Sequence, residues 1–166
     1  MNALDVLKYG HQHVADALHG LGDWDSPGVT SQWSASDVLA HLASYERFLE
    51  EALLEVQGRG AGPTLAAMRN DHRGFNESQV GGRRGQPVET IRREYEEAHA
   101  RVMAAAESLG PGRLSEVGTI PWYGPGYSLD DLIIYANYAH KREHCAQLRA
   151  FRLRGGQQRV PSGGPG

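Results

Sequence analysis

The sequence has a single cysteine, Cys145. That excludes an internal disulfide framework and every multi-cysteine zinc or iron–sulfur site, so any bound metal is held through nitrogen and oxygen. It also lacks a basic excess: 17 Lys+Arg stand against 20 Asp+Glu, a formal charge of -3. The overall electrostatic footprint of a nucleic-acid binder is therefore missing, and the pairs Arg83-Arg84 and Arg92-Arg93 read as ordinary solvated charge. No uninterrupted apolar run approaches the ~20 residues that span a bilayer. The N-terminus places Asp5 and Asp16 inside an amphipathic pattern and does not read as a signal peptide. The expectation is a cytoplasmic protein with neither nucleic acid nor membrane among its partners.

What is present is helical periodicity. A chain of 166 residues fits one domain with a sizeable core. Over residues 2–21, Leu4, Leu7, Val14, Leu18 and Leu21 recur at spacings of three, four and seven, which predicts an amphipathic helix. The stretch GDWDSPG at 22–28 ends it. A second helix is expected from Ser34, where Asp37 follows three residues later as in a capping box. Its stripe is Val38, Leu42, Tyr45, Leu49, Leu53 and Val56.

Pro63 opens a shorter helix to about residue 78, proline being tolerated in a first turn. A third long pattern runs from Pro87 through Val88, Ile91, Tyr95, Val102, Ala106 and Leu109 and stops at Gly110-Pro111. The aromatic, turn-rich loop PWYGPGY at 121–127 precedes another cap at Ser128, and the last helix is expected to reach about Leu153. Four long amphipathic helices without an alternating strand predict an all-α, four-helix bundle over residues 1–154. Residues 155–166 are too poor in apolar side chains to order themselves and are expected to form a flexible tail.

On the last helix, the stripe of Leu129, Leu132, Ile133 and Ala136 continues at 100° per residue onto His140, Glu143, His144, Gln147 and Phe151. Polar groups interrupt a core face there, so they need partners: each other, water or an ion. Two histidines at i and i+4 supply two neutral nitrogen ligands on one face. For a third ligand the pattern leaves three residues open: His41 beside the second helix's stripe, His11 on the first and His99 on the third. His13, His19 and His72 read as surface residues.

The segments WSASDVLAHLASYE (33–46) and HKREHCAQ (140–147) resemble the two signature regions of the DinB/YfiT-like superfamily. Its members carry a histidine in the second helix and an HxxxHxxQ-type element in the last. The resemblance spans most of residues 1–153 and implies a four-helix bundle with up-down-down-up order. It further implies a divalent metal held by His41, His140 and His144, and, in members with assigned chemistry, transfer or isomerisation dependent on a low-molecular-weight thiol such as mycothiol or bacillithiol. A related branch, the colibactin self-protection hydrolases, keeps the bundle without needing the metal triad.

Three imidazoles leave a metal's charge uncompensated and leave positions open for a thiol or water, whose pKa the ion lowers. Nickel, zinc, iron and manganese all remain eligible. Gln147 and His11 are candidates to orient a liganding imidazole, and Glu143 to orient a ligand or act as a base. Trp33, Trp122, Tyr123 and Tyr127 are placed to wall the pocket. Cys145, about 100° around the helix from His144, reads as a structural or semi-exposed thiol. The function expected is metal-dependent transfer of a small thiol to, or isomerisation of, a small electrophilic substrate. The alternatives are a hydrolase acting on a reactive metabolite, or a noncatalytic metal or small-molecule binding module, with a homodimer that sequesters its ligand as one form; oligomeric state is left open by the sequence.

Overall fold

The computed structural model describes residues 2–157, and within them the chain is helical with no strand. The first helix, α1 (Ala3–Leu18), is capped by Asn2, whose side chain accepts from the Asp5 amide. At the start of α2 (Ala35–Val56), Ser34 and Asp37 each accept from the other's backbone N–H at 3.2 Å, which satisfies two donors a helix start would otherwise leave free. The same reciprocal arrangement joins Ser128 and Asp131 at the start of α6 (Leu129–Leu132).

The segment expected as one short helix is two: α3 (Pro63–Asn70) and α4 (Phe75–Gly81). The Asp71 side chain accepts from the Gly74 amide between them, a turn that competes with continued helix. Helix α5 (Val88–Leu114) is interrupted where expected, at Gly110, whose φ of 74° lies in the left-handed region. Pro111 then restarts a final turn to Leu114, since a first helical turn tolerates a residue without N–H.

The last rod differs most from the sequence reading. Between α6 and α7 (His140–Gln157), residues Ile133–Ala139 wind as a π-helix. Hydrogen bonds from i to i+5 give a wider turn, and each residue advances less than 100° around the axis. Over seven residues the lag reaches roughly a right angle. Side chains after Ala139 therefore lag the wheel extrapolated from Leu129. Asn137, Lys141, Cys145 and Leu148 come onto the buried face, and Glu143 turns out to solvent. The π-turn thus corrects the expected inward position of Glu143.

Helix α2 packs along α5, and α1 lies against the π-turn and α7. The apolar core falls into two halves. One gathers Leu7, Phe48, Leu49, Leu53, Val102 and Leu132; the other gathers Val14, Leu18, Leu39, Leu42, Ile91 and Leu148. Each such side chain contributes about 1.5–3 kcal/mol on burial. Between the halves, at mid-height of the long helices, sit the polar residues His11, Glu46, His99, Asn137, His140 and Lys141. Among the described residues no helix is long and apolar enough to cross a membrane. Helix α7 runs through 155–157, the first residues of the expected tail, and the remainder, 158–166, lies outside the described residues.

Candidate metal centre

His41 sits two turns into α2, and His140 and His144 occupy the first two turns of α7, one helical turn apart. Their Nε2 atoms converge: His41 to His140 at 2.6 Å, and His144 to His140 at 3.0 Å. His144 Nδ1–H donates to Gln147 Oε1 at 2.8 Å, which leaves the His144 Nε2 lone pair facing the other two rings. The Nδ1 atoms of His41 and His140 are buried without a hydrogen-bond partner.

Burial, followed by the proximity of His140 and His144, lowers the His41 pKa to about 2. Burial, then His144 and Lys141, lowers that of His140 to about 3. Burial also lowers that of His144, against the hydrogen bond to Gln147. All three rings are consequently neutral at pH 7. Three neutral imidazoles that aim nitrogen at a common point cannot all satisfy one another, because each N–H serves one acceptor. A cation that accepts every lone pair resolves this, and the all-nitrogen donor set, with its ligand atoms within 4.8 Å of one another, suits a borderline divalent metal. The residues fit the group that the resemblance implies.

Aromatic rings close two flanks. Trp33 stands with its ring 4.7 Å from His41 and 6.4 Å from His144, its indole N–H donating to Glu77. Tyr45 lies 4.8 Å from His41 and 4.2 Å from His140, and its hydroxyl donates to Asn76. Burial raises the Tyr45 pKa, so the phenol keeps its proton. On the far side of Tyr45 opens a cavity of about 540 Å³.

Residues 7–130 match the model of the mycothiol maleylpyruvate isomerase N-terminal domain family. The chain belongs to this family. Mycothiol maleylpyruvate isomerase N-terminal domains are members of the DinB/YfiT-like superfamily, in agreement with the resemblance seen in the sequence. The matched stretch includes His41 and ends before His140 and His144. No curated protein and no solved structure matches the chain.

Within this family member, the structure brings His41 to the α7 pair and places His11 and His99 elsewhere. Those two stack on each other at 4.1 Å with 6° between ring planes. His11 Nε2 lies 3.2 Å from Glu96, and burial, then His99 and Lys141, lowers its pKa to about 4. His99 Nδ1 meets Glu46 Oε2 at 3.3 Å. Gln147 and Trp33 touch the triad, while Trp122 and Tyr123 line the cavity that Tyr45 also lines. His72, read as a surface residue, is exposed and also forms part of that cavity's wall.

Sequence reasoning missed Glu46 and Lys141. Both are buried, at 0% and 1% exposure, and are ion-paired with each other. Glu46 Oε1 also accepts from Asn137 Nδ2 at 2.8 Å. Although burial pushes the Glu46 carboxyl upward, the Lys141 ammonium and His99 outweigh it and hold its pKa at about 2. In sequence, Lys141 sits within HKRE and looks like any solvated cation. Tyr45 was legible as part of the α2 stripe, but nothing local marked it as the ring between the histidines and a cavity.

Proposed function

We propose that the chain is a metal-dependent enzyme that joins a small thiol to a small electrophile, or isomerises that electrophile through reversible thiol addition. The supporting observation is the convergence of three neutral imidazole Nε2 atoms from two helices, separated by 2.6 and 3.0 Å along the cluster. His41, His140 and His144 would hold the cation, with nickel, zinc, iron and manganese eligible. When bound, it supplies Lewis acidity that lowers the pKa of a thiol or water beside it.

The remaining tasks fall to the chain itself. Gln147 fixes the His144 tautomer that presents the Nε2 lone pair, and such supporting hydrogen bonds set ligand orientation. Trp33 and Tyr45 exclude water from two sides, which strengthens electrostatic interactions within. Tyr45 retains a proton to donate. The chain brings no usable thiol: Cys145 is fully buried, and burial pushes its pKa to about 11, so it stays protonated and inert at neutral pH.

The thiol therefore enters as a small molecule, and the mycothiol of the family's description is one of that kind. Its addition to an activated double bond breaks the thiol S–H bond and the C=C π bond and forms one C–S and one C–H bond, and its reversal restores both. Rotation and loss of the same thiol gives isomerisation; retention of the C–S bond gives transfer.

Elemental analysis of protein purified without an affinity tag is expected to find about one divalent metal per chain. Nickel titration of metal-stripped protein should then show His41→Ala, His140→Ala and His144→Ala each weakened by more than about 100-fold, with His11→Ala and His99→Ala within about threefold of the parent. Metal-loaded protein should consume mycothiol in the presence of an activated alkene. Absence of stoichiometric metal, or unchanged nickel affinity in the three triad variants, overturns the reading.

A further inference from the structure

A histidine that holds a metal through Nε2 is ordinarily oriented by a hydrogen bond from its Nδ1–H. In the triad, His144 has such a bond, to Gln147, whereas the Nδ1 atoms of His41 and His140 have no hydrogen-bond partner among the described residues. Aromatic rings border these two instead. Trp33 stands 4.7 Å from His41, and Tyr45 stands 4.8 Å from His41 and 4.2 Å from His140. Packing of this kind fixes an imidazole only if the rings beside it are themselves held.

Both rings are held by consecutive residues of α4. The Trp33 indole N–H donates to Glu77 Oε1 at 2.9 Å, and the Tyr45 hydroxyl donates to Asn76 Oδ1 at 3.3 Å. Trp33 precedes α2 and Tyr45 lies within it, so one short helix ties both to a common support. That support is anchored in turn. Phe75 and Val80 are buried, one in each half of the apolar core, and Phe75 meets Tyr45 edge to face at 5.9 Å. Glu77 Oε2 lies 3.9 Å from Arg84 Nη2, and Arg83, just past the helix, donates twice to Glu94. Asn76 is half-buried and Glu77 exposed, so neither side chain contributes much to core packing.

We propose that Asn76 and Glu77 are positioning residues of the metal centre: through Tyr45 and Trp33 they orient the His140 and His41 rings, and with them the directions of the Nε2 lone pairs. The proposal rests on the metal reading of the triad. Its test uses the full chain and cobalt(II), whose visible absorption reports ligand geometry, together with the ring-proton resonances of His41 and His140 in metal-free protein.

Glu77→Leu and Asn76→Leu are each expected to weaken cobalt binding about tenfold and to shift the cobalt bands, whereas Glu77→Gln and Asn76→Asp, which keep an acceptor, stay within about threefold of the parent. All four should melt within about 2 °C of the parent, because the substituted side chains lie outside the core. In metal-free protein, Glu77→Leu should move the His41 resonances and Asn76→Leu those of His140. Unchanged affinity and bands in both leucine variants of a cobalt-binding parent overturn the proposal, as does equal loss in the acceptor-keeping variants. A parent that binds no cobalt sinks the metal reading; the metal-free resonances then judge the orienting contacts separately, and histidine rings unmoved in both leucine variants overturn those as well.

Discussion

Removing Lys141 or Glu46 alone is expected to be among the most damaging substitutions in the bundle. Both are almost fully buried and answer each other's charge. In Lys141→Met, the Glu46 carboxylate keeps only the Asn137 amide and His99 as partners. In Glu46→Gln, the Lys141 ammonium loses its counter-ion and is left facing a neutral amide. Breaking a buried pair from one side costs about 3–5 kcal/mol, whereas replacing both charges with neutral groups of similar size is far milder. The double variant should therefore lose no more than about 2 kcal/mol, giving a coupling of at least about 4 kcal/mol. At about 2–4 °C per kcal/mol for a chain of this size, each single variant should melt about 10 °C lower. Urea denaturation of the four metal-free proteins at pH 7 measures the cycle. Single variants that each lose under about 1 kcal/mol and simply add in the double would refute the argument that the pair offsets its own desolvation.

The pH dependence of the metal-free protein follows from the same layer. His41 and His140 have folded pKa values of about 2 and 3, below the ordinary 6.5, so the unfolded chain binds protons that the native chain refuses, and stability falls as pH drops below about 6.5. Glu46, with a folded pKa of about 2 against 4.5, contributes stability above about 4.5 that is lost as pH falls toward 2. Urea midpoints should thus be flat just above pH 6.5 and decline continuously in acid; a maximum near pH 5 would contradict this. Gln147→Leu removes the acceptor that fixes the His144 tautomer and should weaken nickel binding about 10–100-fold with little change in melting temperature. Cys145, fully buried with its pKa pushed up to about 11, should react with a disulfide reagent only after urea unfolds the chain, and rapid labelling of the native protein would show that α7 opens locally.

The caps at Ser34 and Ser128 were legible in the sequence because each is a hydrogen-bonded exchange between residues three apart, decided before any tertiary contact forms. The apolar stripes of α1, α2 and α5 were legible because a regular helix repeats every 3.6 residues. The pairing of His140 with His144 was equally local, one turn apart on one helix. Which histidine joins them was not, since His11, His41 and His99 all lie on or beside inward stripes and only the rotation of whole helices against one another selects among them. The same holds for the π-turn at Ile133–Ala139. Its wider winding carried Glu143 out and Lys141 in, against a wheel drawn at 100° per residue, and so seated an ammonium beside Glu46 in the layer between the two apolar halves. Sequence periodicity specifies a face only while the winding is constant; where it changes, the packing of α1, α2 and α5 around the rod decides what that face contains.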